Sequence, residues 1–301
     1  MGDAAKLAID GGQPVRDSML PYGRQAISDD DIDAVTAVLR SPWLTTGPKV
    51  SEFERAFAAQ TGARHATAVS SGTAGLHAAM FAIEVTEGDE VIVPVMTFAA
   101  TANAVVFEGG TPVFADVEPD TLLLDVDSVS ARITPRTRAV VAVDYAGQPC
   151  DYDRLRILAN RHGIALVADA CHSLGAVYHG RPVGSLTDLS IFSLHPVKHV
   201  TSGEGGVVTT DDPLMVPRLE MFRNHGMSAD HAARDRADSW YYEIRELGYN
   251  YRLSDFQCAL AMSQLSRLDG QLSRRGEIAR AYDRAFAGLD GIRHLATRPD
   301  C

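Results

Sequence analysis

Lys198 stands in a loop of small residues, 193–206 (Ser-Leu-His-Pro-Val-Lys-His-Val-Thr-Ser-Gly-Glu-Gly-Gly), between apolar strands expected at 189–192 and 207–210. A loop pinned between two buried strands can turn a lysine stem inward. An inward amine can take a proton or condense with a carbonyl. Most loop lysines are surface charges, so Lys198 needs partners before it counts as chemical.

Three other features supply candidates. Ser70-Ser71-Gly72-Thr73 falls between a strand and a helix, where free N–H groups, the helix dipole and two hydroxyls make a phosphate cradle, or simply a capped turn. Asp169 ends the apolar run 164–168 and is followed by Ala170-Cys171-His172. An acid there is a helix cap or a buried anion with a cationic partner. His172 can reach the same ligand or be structural. Phe98, just past the strand 90–94, offers a ring to stack on or to pack in the core. A phosphate at Gly72, a flat ring on Phe98, a protonated ring nitrogen at Asp169 and a carbonyl at Lys198 together describe pyridoxal phosphate (PLP).

The elements that must position these groups alternate. Ser28 followed by three aspartates reads as a capped helix start leading to Ile32, Val35, Val38 and Leu39 at helical spacing. A second amphipathic helix, 50–61, turns Phe53, Phe57 and Ala58 inward and stops at Gly62. Strands are expected at 66–69, 90–94, 113–117, 139–144 and 164–169, with helices from about 73, over 99–107 and over 152–162. Their uninterrupted apolar runs predict a mainly parallel α/β sheet covered by helices on both faces. A helix near 214–223, an aromatic and charged stretch at 240–251, and one long helix from Ser254 towards Leu289 complete the chain.

With 301 residues there is room for a large domain, taken as 1–253, and a smaller one beginning at 254–301. The net charge of −11 argues against a nucleic-acid partner. No apolar run is long enough for a bilayer and residues 1–12 lack a signal pattern, so no membrane partner and a cytoplasmic location are expected. The four cysteines lie far apart, so no metal site is expected.

The chain resembles the sugar-nucleotide aminotransferases of the DegT/StrS type. The resemblance runs through Leu44-Thr45-Thr46-Gly47-Pro48, Ser71-Gly72-Thr73-Ala74, Thr97-Phe98-Ala99-Ala100-Thr101-Ala102-Asn103, Asp169-Ala170-Cys171-His172, Ser193-Leu194-His195-Pro196-Val197-Lys198 and Gly248-Tyr249-Asn250-Tyr251-Arg252-Leu253-Ser254-Asp255. It implies the fold of type I PLP-dependent transferases, with Lys198 as the covalent cofactor lysine, Asp169 on the pyridine nitrogen and His172 near the phenolic oxygen. Gly72, Thr73 and Ser193 would hold the phosphate, and Asn250 would reach the phosphate of a neighbouring subunit, so a homodimer with shared sites is implied. Dehydratases of this group resemble the chain but carry histidine where Lys198 stands, so transamination is favoured.

Within the family, Pro21-Tyr22-Gly23-Arg24-Gln25, Asp144-Tyr145-Ala146-Gly147-Gln148-Pro149 and Phe222-Arg223-Asn224-His225-Gly226-Met227 are most similar to enzymes that aminate the C4 ketone of a UDP-linked 4-keto-6-deoxy-N-acetylhexosamine on the route to pseudaminic acid. L-glutamate is the expected donor. Tyr22, Trp43, Leu44 and Thr45 resemble positions facing the sugar nucleotide, or else pack a domain interface. Family members usually continue further, which implies a truncated C-terminal domain. The alternatives are another nucleotide-linked keto sugar, such as a GDP sugar, and a cofactor-binding or dimerising fragment with little catalysis.

Overall fold

Helix α1 (Asp29–Leu39) starts at a full capping box, in which the Ser28 hydroxyl and the Asp31 carboxylate each accept from the other residue's backbone N–H. Helix α2 (Pro48–Thr61) ends on Gly62 in the left-handed region, as its sequence predicts. The computed structural model describes residues 6–228, 238 and 240–301. From α2 onward strands and helices alternate: β1 (His65–Val69), α3 (Gly72–Ala82), β2 (Glu90–Pro94), α4 (Ala99–Phe107), β3 (Thr111–Ala115), α5 (Val126–Ser130), β4 (Thr137–Val143), α6 (Tyr152–His162) and β5 (Ala165–Asp169). A small hairpin of β6 (Val177–Tyr178) and β7 (Arg181–Pro182) precedes β8 (Leu189–Ser193) and β9 (Gly206–Thr210), followed by α7 (Met215–Arg223), α8 (Asp255–Leu265) and α9 (Leu268–Phe286).

Seven strands form one sheet in the order β1-β9-β8-β5-β4-β2-β3. Only β9 runs against the others. Alternate residues divide between two cores, as strand geometry requires. Ile92, Val140, Ala142, Leu166 and Ala168 face one core, while Val91, Val93, Ala139, Val141 and Val167 face the other. In the first core Phe57 meets Phe53 and Phe192 edge to face, with centroids 5.6 and 5.1 Å apart. Burying each such ring contributes about 1.5–3 kcal/mol.

Two sequence expectations shift. The strand expected at 113–117 lies two residues earlier, because β3 pairs with β2 from Glu90↔Thr111 to Pro94↔Ala115. As an edge strand it leaves Phe114 exposed, and apolar content alone does not set its register. The single helix expected from Ser254 to Leu289 is two, broken at Ser266 and Arg267. The break lets Arg267 reach the buried Asp31 carboxylate at 2.6 Å, where Ser263 and Gln264 also donate. Only Leu268 of α9 is buried, whereas Ala296, Arg298 and Asp300 return to bond Asp120, Gln148, Asp151 and His179.

Candidate active site

Three strand ends converge at one edge of the sheet. Gly206 opens β9 and pairs with Val69, the last residue of β1, and with Ser193, the last of β8. On the other side of β8 lies β5, with Asp169 opposite Ile191. Ligands of open parallel sheets bind beyond such carboxyl ends. The Ser71–Thr73 turn, Asp169, Ser193 and the lysine loop therefore share one place in space.

The helix start is a capped turn that leaves backbone donors open. Ser71 caps α3 by accepting from the Ala74 N–H at 3.0 Å. The N–H groups of Gly72 and Thr73 open the helix with no acceptor inside it. Gly72 is in close contact with its neighbours: a Cβ there would stand 3.1 Å from Ser193 Cβ and 3.3 Å from Cys171 Sγ. The turn is also tied to the segment after Gly248, since Ser70 N–H donates to the Tyr251 carbonyl at 2.8 Å.

Asp169 is buried, 7 % exposed. One carboxylate oxygen accepts from the Thr101 hydroxyl at 2.8 Å and the other from the Cys171 N–H at 3.3 Å. It caps no helix, and among the described residues no cationic side chain pairs with it. A buried carboxylate with only neutral donors retains capacity for a protonated ring nitrogen, as PLP would provide. Behind it, Asp144 is fully buried and accepts from Ser173 and Tyr152 hydroxyls at 2.6 Å and from the Cys150 N–H at 3.0 Å. Burial raises the Asp144 pKa to about 6, with the Asp169 charge adding to it against these hydrogen bonds.

Lys198 is half-buried; its own N–H donates to the His195 carbonyl, and among the described residues its Nζ has no hydrogen bond or ion pair. His172 keeps part of its ring in solvent, yet the protein around it and then the Lys198 charge lower its pKa. Burial pushes His199 down to about 4, helped by the charges of Arg275, His172 and Lys198. Phe98 is the N-cap at the start of α4 and is 79 % exposed, so of the two roles its sequence position allowed, core packing is overturned and a face is left available.

The candidate substrate positions reach the loop indirectly. A Cβ on Gly23 would lie 2.9 Å from Val197 Cγ1, which places Tyr22 beside the lysine loop with its ring fully exposed. Leu44 accepts from the Asp255 N–H and Thr45 bridges Ser254, so residues 44 and 45 are fastened to the start of α8. From there Gln257 donates to the Glu204 carbonyl of the lysine loop at 2.9 Å. Asn250 is exposed and bridges Asn224. Sequence reasoning missed Thr101, Gly206, His199 and Arg275. Thr101 carried a signal, since it falls one helical turn after Phe98 on the side facing the sheet.

Residues 25–300 match the DegT/DnrJ/EryC1/StrS aminotransferase family. The spore coat polysaccharide biosynthesis protein SpsC of Bacillus subtilis (strain 168) is 43% identical over 280 residues, covering 92% of this chain and 72% of SpsC. The structure of Spr1654 from Streptococcus pneumoniae in its PMP form superposes with a TM-score of 0.85 at 35% identity, over 90% of this chain and 73% of that one. Helicobacter pylori PseC, an aminotransferase involved in the biosynthesis of pseudoaminic acid, gives a TM-score of 0.83 at 32% identity, over 90% of this chain and 71% of PseC.

Proposed function

Because the chain belongs to the DegT/DnrJ/EryC1/StrS aminotransferase family and is a PLP-dependent aminotransferase, we propose that it moves an amino group from L-glutamate to the C4 ketone of a UDP-linked 4-keto-6-deoxy-N-acetylhexosamine, towards pseudaminic acid. The observation that carries this reading is the unpaired Lys198 amine beside the edge where Asp169, Ser193 and the start of α3 converge. The likeness to PseC supports the choice of sugar.

In this reading the N–H groups of Gly72 and Thr73 and the Ser193 hydroxyl hold the PLP phosphate. Phe98 covers one ring face, Asp169 accepts from the ring nitrogen, and His172 lies near the phenolic oxygen. When bound, PLP supplies a conjugated sink for the electrons of a bond broken at the amine-bearing carbon. Lys198 Nζ would hold the group by its carbonyl carbon in the resting enzyme. The freed amine then takes the proton from the donor's amine-bearing carbon, and in the return half it delivers a proton to the former ketone carbon of the sugar. Glutamate leaves as its 2-oxo acid and the ketone leaves as an amine.

The working unit in this reading is a cytoplasmic homodimer in which Asn250 of each protomer completes the other's phosphate site. Tyr22, Trp43, Leu44 and Thr45 face the sugar nucleotide, and residues 254–301 begin a smaller second domain. A second reading, another nucleotide-linked keto sugar, draws on the 43% identity to SpsC, a spore coat polysaccharide biosynthesis protein, against 32% to PseC.

The test is the visible spectrum of the purified chain with PLP, before and after glutamate, followed by side-by-side assays of UDP- and GDP-linked 4-keto sugars. Support requires a band that glutamate shifts and Lys198→Ala removes, with amination of the UDP sugar. Turnover only with the GDP sugar would refute the proposed substrate. PLP uptake with no sugar aminated would mark a cofactor-binding fragment.

A further inference from the structure

The first turn of α4 is joined to the end of β5 by a chain of two hydroxyls. Thr97 and Thr101 Oγ1 lie 2.7 Å apart, and Thr101 Oγ1 donates to Asp169 Oδ2 at 2.8 Å. Each threonine has a single hydroxyl proton. The Thr101 hydroxyl gives that proton to Asp169, so Thr97 must donate to Thr101. The competing acceptor for Thr97, the Phe98 carbonyl, is farther away at 3.3 Å. The proton order thus runs Thr97 to Thr101 to Asp169.

Thr101 is 1 % exposed, so no water replaces it at the carboxylate without opening the core. It lies one turn beyond Phe98, and its N–H donates to the Phe98 carbonyl at 3.1 Å. The same residue therefore touches the backbone that presents the exposed ring and the carboxylate at the sheet edge. We propose that Thr101, oriented by Thr97, is a positioning residue that fixes the Asp169 carboxylate relative to the Phe98 ring, so that acid and stacking face meet one PLP ring together. The inference rests on the functional reading above.

Thr101→Val keeps the branched shape and deletes the donor; Thr101→Ser restores it. PLP affinity, measured by quenching of intrinsic fluorescence, is expected to fall roughly tenfold or more in Thr101→Val, the scale of a hydrogen bond to a charged group, and to recover in Thr101→Ser. Thr97→Val, at a half-buried position, should weaken binding in the same direction by less, and it tests the relay if Thr101→Val fails to fold. A folded Thr101→Val that binds PLP like wild type, or a Thr101→Ser that fails to recover, overturns the proposal. So does an unchanged Thr97→Val when Thr101→Val does not fold. Wild type that binds no PLP would overturn the functional reading itself, and this inference with it. Wild-type binding beside an unaffected Thr101→Val overturns the inference alone.

Discussion

Gly206 lies directly against Ser71: a Cβ on Gly206 would stand 2.4 Å from the Ser71 carbonyl oxygen and 2.8 Å from the Gly72 nitrogen. The strand that begins at Gly206 is thereby packed under the turn that begins α3, and the lysine loop ends where that turn starts.

Gly206→Ala should therefore push the Ser71–Gly72 turn away from Ser193. Backbone atoms cannot rotate aside as a side-chain tip can, so a stability loss of about 1–3 kcal/mol is expected, as for other overpacked sites. Chemical denaturation reads the stability and PLP titration the cradle. Wild-type affinity in the variant would show that the turn does not hold the phosphate.

Lys198→Ala should leave stability within about 0.5 kcal/mol of wild type, since surface and loop changes that break no contact cost little. Its side chain is half-buried and has no bonded partner among the described residues. Turnover and the visible band with PLP should both vanish. A variant that melts at the wild-type temperature and still turns over would remove Lys198 from the chemistry.

Asp144 should make the fold more stable in mild acid than its carboxylate content suggests. Its pKa is raised to about 6, chiefly by burial, so its contribution is fully present below the ordinary carboxylate value and is lost as pH rises through about 6. The loss is on the order of 3 kcal/mol. Urea melts of wild type and Asp144→Asn between pH 4 and 7 check this. The variant should lack that component, and parallel curves would contradict the assignment.

Asp31 should behave in the opposite sense. Although burial works to raise its pKa, hydrogen bonds from Ser263, Ser28, Arg267 and Gln264 together lower it. Its stability is therefore present above the ordinary carboxylate value and lost as pH falls through the lowered one. Asp31→Ala should cost about 2–3 kcal/mol, because it leaves Arg267, Ser263 and Gln264 without their shared acceptor. Thermal melts at neutral pH, where loss of less than half that amount would be too small for such a hub, decide it.

Much of this molecule was legible in the chain because local rules and tertiary demands agree. The cap at Ser28, the stop at Gly62 and the helices Ala99–Phe107 and Tyr152–His162 are set by neighbouring residues, and they stand where spacing places them. The break at Ser266 was not legible, since the contact it permits, Arg267 to Asp31, joins residues more than two hundred positions apart. The edge strand β3 slipped for a similar reason: its register comes from β2.

The candidate site divides along the same line. By itself the sequence determined which groups are available: Lys198 in its loop, Asp169 at a strand end, and a capped helix start with open donors at Ser71–Thr73, because residue type and local position decide those properties. Only the tertiary structure decided that Gly206 joins the ends of β1 and β8, and that Thr101 holds Asp169 across 68 positions of sequence. It also decided that the Phe98 ring stays in solvent instead of the core. Strand order and helix docking bring distant residues together, and those are fixed by the burial of both sheet faces at once, which no single segment encodes.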